Sequence, residues 1–131
     1  MRGAFLAGGI LTTLGLIGHC YTMEHWIYPK LKDEGFPSTP FGDSVQMKKS
    51  FRMLWHFYTI DFITTAALDF IFYFTNWFKD PTPIARILAA QWFAWMFICL
   101  WIAEFDRRQL TKAFQWLLIF AIGTLTFLGT V

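Results

Sequence analysis

Apolar residues run almost unbroken through four stretches of this chain, Gly3–Met23, Phe51–Phe74, Ile84–Ala103 and Leu110–Val131. Each approaches the ~20 residues that a helix needs to cross a ~30 Å hydrocarbon core at 1.5 Å rise per residue. The segments between them are too short for a soluble domain. The pattern predicts an all-α protein: an antiparallel up-down four-helix transmembrane bundle, one integral-membrane domain. Its spans are expected at 3–28, 44–76, 83–105 and 110–131, with a cytoplasmic loop at 29–43.

Local chemistry sets those boundaries. Pro29 lacks the N–H to continue the first helix and disfavours helical backbone at Tyr28, so the helix should end there. Pro29, Gly35, Pro37, Pro40 and Gly42 then mark a connector at the membrane surface. Asp43 followed by Gln46 resembles a capping box and predicts a helix start near Ser44. Thr82-Pro83 reads as the N-cap and first residue of the third helix. Asp106-Arg107-Arg108-Gln109 forms a short last connection, implying an antiparallel hairpin of the third and fourth helices. Trp26, Tyr28, Trp55 and Trp77 fall near span ends, as an interfacial aromatic belt requires.

Basic residues give the orientation. With four spans, Arg2, Lys79 and Arg86 share one side, while Lys30, Lys32, Lys48, Lys49, Arg52, Arg107, Arg108 and Lys112 share the other. The positive-inside rule puts the eight in the cytoplasm and both termini on the non-cytoplasmic side. Leu16-Ile17-Gly18-His19-Cys20 ends like a lipoprotein cleavage box, but His19 stands where a small side chain is needed. The first span therefore reads as retained, also because its n-region holds only Arg2 and its apolar run is long for a signal peptide.

Composition narrows the class further. Of 131 residues, 56% are apolar and only 15% charged, and the formal charge is +2, a balance that argues against a nucleic-acid partner. Cys20 and Cys99 lie inside spans without CxxC spacing and read as small apolar side chains.

Polar residues at membrane depth carry what functional signal there is, because each ionisable group there costs roughly 2.5–3.5 kcal/mol on insertion scales. His19 and His56 fall at similar depth on consecutive helices. Ala4, Gly8, Thr12, Gly15, His19 and Thr22 form one stripe, a packing seam of mostly small residues that turns His19 into the bundle. Asp61, Thr65 and Asp69 share a face of the second helix, with His56 roughly 140° around from Asp61. A compact site holding both His56 and Asp61 is therefore not favoured. Asp69 and Gln91 are nearly equidistant from the loop joining their helices, with Arg86 a turn closer to the surface. The expectation is a clasp in which Asp69 bonds Gln91 or pairs with Arg86; a proton or ion path would also need Asp61.

His19 and His56 admit several readings. They suit a b-type haem, with Gly15 and Gly18 leaving space for the ring, or a chlorophyll-type pigment on one of them. With Glu104 they suit a metal ion. The plainer reading is that each imidazole bonds a neighbouring side chain or carbonyl. Runs such as Phe70-Ile71-Phe72-Tyr73-Phe74 and Gln91-Trp92-Phe93-Ala94-Trp95 put rings on every helix face. They fit lipid-facing filler, a surface wedged between larger partners, or stacking on a flat ligand such as a quinone.

Gly18-His19, Leu54-Trp55-His56 and Gln91 together resemble a loose group of small four-helix bacterial membrane proteins of about this length. That resemblance implies the fold and a bacterial inner membrane, and no activity. The functional expectation is a non-catalytic accessory or assembly subunit of a larger membrane complex, in contact with the lipid bilayer and with other subunits or itself. The alternatives are a haem-, pigment- or metal-binding protein using His19 and His56, and a small proton-coupled transporter using Asp61 and Asp69.

Overall fold

The computed structural model describes residues 2–40, 42–108 and 115–131, and it is helical almost throughout. Its long helices are α1 (Gly3–Tyr21), α2 (Ser44–Phe74), α3 (Thr82–Ile102) and α4 (Gln115–Leu128). The chain forms two compact units, Met1–Thr12 with Thr65–Val131, and Thr13–Thr64.

In the first unit the start of α1, the end of α2, α3 and α4 pack as an antiparallel four-helix bundle. Phe5 meets Phe72, and a Cβ on Gly8 would reach Asp69, so α1 runs against α2. Trp92 bonds Thr65, and Phe93 meets Phe120, so α3 runs against both α2 and α4. The interior holds Phe5, Phe72, Ala85, Leu88, Ala89, Trp92, Ile119 and Ile122. Close approach explains the glycines here. A Cβ on Gly9 would lie 2.9 Å from the Phe70 ring, and one on Gly129 would overlap the Phe5 ring. In lipid, where burying apolar surface gives no driving force between helices, such contacts supply the packing.

The second unit is a helical hairpin. The rest of α1 continues into a π-helical turn, Thr22–Ile27, and a 3₁₀ turn, Tyr28–Lys30. A second 3₁₀ turn, Asp33–Gly35, lies in the loop before α2. The helical path therefore passes Pro29, and Tyr28 keeps helical backbone (φ −57°, ψ −41°), contrary to the boundary expected from the proline. A 3₁₀ turn accommodates it: the Leu31 N–H bonds the Tyr28 carbonyl, and no N–H is required of Pro29. Asp43 caps α2 as expected, its Oδ1 accepting the Gln46 N–H at 2.8 Å.

The start of α3 differs from expectation by one residue. Thr82 is already helical, and Asp80, not Thr82, supplies the capping carboxylate, at 3.0 Å from the Thr82 N–H. α3 ends on two left-handed non-glycine residues, Glu104 (φ 51°) and Phe105 (φ 54°).

Three helical stretches are long and apolar enough to cross a membrane: Gly3–Lys30, Ser44–Phe74 and Thr82–Ile102. Only 22–28% of each spanning window is buried within the chain, which leaves most of each span to face its surroundings. α4 has 14 described residues, about 21 Å of helix, less than the hydrocarbon thickness. The first residues expected for the fourth span, 110–114, together with Gln109, lie outside the described residues.

Candidate functional site

Two polar clusters stand out, one in each unit. The π turn builds the first. Its wider winding, with i→i+5 bonding, takes the chain out of α phase after Tyr21 and brings Glu24 against α2. There Glu24 accepts two hydrogen bonds from Arg52, Nε to Oε1 at 2.9 Å and Nη2 to Oε2 at 2.5 Å. It also accepts one from His56 Nε2 at 2.8 Å. A carboxylate accepts only, so Nε2 of His56 carries a proton. His56 Nδ1 lies 3.2 Å from Thr59 Oγ1, and Thr59 in turn lies 3.9 Å from Cys20 Sγ. The Arg52 guanidinium sits over the Tyr28 ring at 4.7 Å, and Lys48, which bonds Asp33, approaches the same ring at 5.2 Å. Arg52 is 45% exposed and Glu24 30%, so water screens the pair, and its role is to fix geometry.

One turn away, His19 Nε2 donates to the Trp55 carbonyl at 3.1 Å, while Trp55 Nε1 donates to the His19 carbonyl at 3.4 Å. Tyr58 and Phe62 complete an aromatic surround. His19 and His56 share the second unit, but each uses Nε2 as a donor to a protein oxygen. Neither Nε2 is a ligand in this arrangement. Gly18, expected to leave room for a macrocycle, lies exposed with open space beyond it, whereas Gly15 is buried. Glu104, the expected third ligand, is exposed in the left-handed turn after α3. Among the described residues no three His, Cys, Asp or Glu side chains are grouped to hold a metal ion.

The second cluster lies inside the four-helix unit. Asp69 is fully buried, and its Oδ2 accepts a hydrogen bond from Thr126 on α4 at 3.2 Å. Its Oδ1 has no hydrogen-bond partner among the described residues. Trp92 Nε1 donates to Thr65 at 2.9 Å, and Thr12 donates to the Gly8 carbonyl at 2.7 Å. Thr65 and Asp69 share the inward face of α2, as expected. The expected clasp to Gln91 or Arg86 is replaced by the bond to Thr126. Arg86 is exposed and lies near Asp80 instead, and Gln91 is half-buried. Asp61 belongs to the other unit and is half-buried.

Sequence reasoning missed Glu24, Arg52, Trp55 and Thr126 as partners. For Glu24 and Arg52 the signal exists: an antiparallel register that sets residue 20 opposite residue 59 sets residue 24 opposite residue 55, within a turn of both Arg52 and His56. The π turn, which redirects Glu24, has no signature in the sequence. Thr126 looked like any small residue of an apolar helix.

No protein-family model matches this chain, and no curated protein or solved structure is significantly similar to it.

Proposed function

We propose that this protein is a non-catalytic accessory subunit of a larger membrane complex, acting through its outer helix faces. One observation carries the reading. His19, His56 and the ring N–H groups of Trp55 and Trp92 are spent inside the chain: His19 with Trp55, His56 with Glu24 and Thr59, and Trp92 with Thr65. The large side chains left outward are apolar, among them Phe57, Ile60, Phe97, Trp101 and Phe120. Helices whose deep imidazole and indole groups are partnered within the chain and whose outer faces are ringed suit packing against other transmembrane helices.

Extraction from the native membrane in mild detergent, followed by native mass spectrometry, tests the proposal. Co-purifying polypeptides in fixed stoichiometry support it. A lone chain or small homo-oligomer carrying haem, pigment or stoichiometric metal, lost in His19→Ala or His56→Ala, would replace it with the cofactor reading. Proton-coupled transport by the protein alone in liposomes, abolished in Asp61→Asn, would replace it with the transporter reading.

A further inference from the structure

At one end of the four-helix unit a cavity of about 280 Å³ opens between the start of α1, the end of α2 and the loop leading to α3. Two cations line it, Arg2 and Lys79, together with the hydroxyl-bearing residues Thr75 and Thr82. No carboxylate side chain is among its described lining residues. The nearby Asp80 is turned to the Thr82 N–H and held there, which keeps its charge engaged at the helix start. Arg2 is held by Asn76, its Nη2 donating to Oδ1 at 3.0 Å, and so is fixed with donors to spare. Thr75 has already given its hydroxyl proton to the Ile71 carbonyl, at 2.8 Å. The floor is aromatic: Phe5 against Phe72 at 5.2 Å, and Phe72 against Phe78 at 5.5 Å.

We propose that this cavity binds the phosphate group of an anionic phospholipid between Arg2 and Lys79. Its volume lies just below the ~300 Å³ at which small-molecule pockets begin, which suits a headgroup. Two cations facing a space without a counter-charge favour an anion, and guanidinium is the side chain best matched to phosphate oxygens. Close by in the chain, at the end of α2 and just after it, Phe74 and Trp77 are 70% and 79% exposed, apolar surface on which acyl chains could lie. Trp77 at a span end also places this cavity at the level where headgroups reside. The assignment does not depend on the accessory role proposed above.

The test is native mass spectrometry of the purified full-length chain titrated with phosphatidylglycerol and, separately, phosphatidylcholine. Preferential retention of phosphatidylglycerol is expected. The Arg2→Gln and Lys79→Gln variants should each lose about fivefold in apparent affinity, as removing one cation near an anionic lipid does. Both residues are exposed, so each single variant should fold, with circular dichroism as the check. Arg2→Lys with Lys79→Arg should retain binding, and removal of two cations elsewhere, Lys30→Gln with Lys32→Gln, should not change it. Equal retention of the two lipids, or binding indifferent to Arg2 and Lys79, would overturn the proposal. Sodium phosphate supplied alone separates the sources. If it binds with the same dependence on Arg2 and Lys79 and displaces the lipid, the phosphate chemistry stands and the lipid assignment falls.

Discussion

The rings of His19 and Trp55 are stacked, 4.9 Å between centroids and 15° between planes, while each side chain hydrogen-bonds the other residue's carbonyl. Two helices are thereby joined by ring contact and by two crossed bonds at a single level. The arrangement accounts for a histidine inside an apolar helix without any ligand.

Trp55→Phe should keep a ring on His19 and lose only one bond. Interhelical bonds in membranes average about 0.6 kcal/mol, so the loss should be under 1 kcal/mol. Trp55→Ala should cost roughly 2 kcal/mol, below the ~3–5 of a fully buried tryptophan because Trp55 is half-buried. A double-mutant cycle with His19→Ala, read by unfolding in mixed micelles, should give a coupling of about 0.5–1.5 kcal/mol. Additive effects would show that the stack contributes nothing beyond its area.

Two glycines of α1 should respond with opposite signs. A Cβ at Gly8 would stand 2.6 Å from Asp69 Oδ2, so Gly8→Ala must displace that carboxyl from its bond to Thr126, at about 1–3 kcal/mol. Gly18 faces open space, and Gly18→Ala should stabilise the helix by up to ~1 kcal/mol. Equal responses at the two sites in one unfolding assay would refute the packing seam.

Among the described residues the buried carboxyl of Asp69 has one hydrogen-bond partner, the Thr126 hydroxyl. Thr126→Val preserves shape and leaves Oδ2 unpartnered as well, which should cost roughly 1–3 kcal/mol. In an Asp69→Leu background the same Thr126→Val change should cost less, because no carboxylate remains to be stranded. Thermal unfolding of the four proteins measures the difference.

Asp80, outside the spans, carries a pH dependence. Hydrogen bonds from the Thr82 hydroxyl and the Thr82 N–H, with Arg86 nearby, hold its carboxyl below the ordinary value of 3.8. The native state therefore takes up this proton less readily than the unfolded chain. The contribution to stability is complete above the ordinary value and disappears as pH falls through the lowered native one. Asp80 is fully exposed, so the effect is small. Asp80→Asn should flatten that part of the acid limb of a melting-temperature profile, and an unchanged limb would remove Asp80 from the cap.

Much of the fold was legible because one solvent imposes one rule: backbone polar groups in hydrocarbon must bond within a helix, so long apolar runs announce helices. Asp43 announced the start of α2 for a similar reason, its carboxylate being the local answer to free N–H groups. The seam of Gly8, Thr12 and Gly15 was legible from size and spacing, and all three are buried. The clasp of Asp69 was not, because depth and phase select a level and a direction but not which of several neighbours presents the donor. Thr126 and Gln91 were equally available to such counting. Pro29 misled because a proline that forbids an α turn fits a 3₁₀ turn.

The π turn at Thr22–Ile27 carries one residue more per turn than an α-helix would. It works as a splice in the reading frame of the helix. Removing one residue from it would let the α winding run through: everything beyond, Tyr28 included, would keep its place around the axis, and the residues inside the turn, Glu24 among them, would be re-aimed. A lineage that lost that residue would keep every apolar run and yet lose the meeting of Glu24 with Arg52 and His56. Chains of this architecture should thus divide by a single-residue length difference near the end of the first helix, and the longer class should carry the acidic residue there.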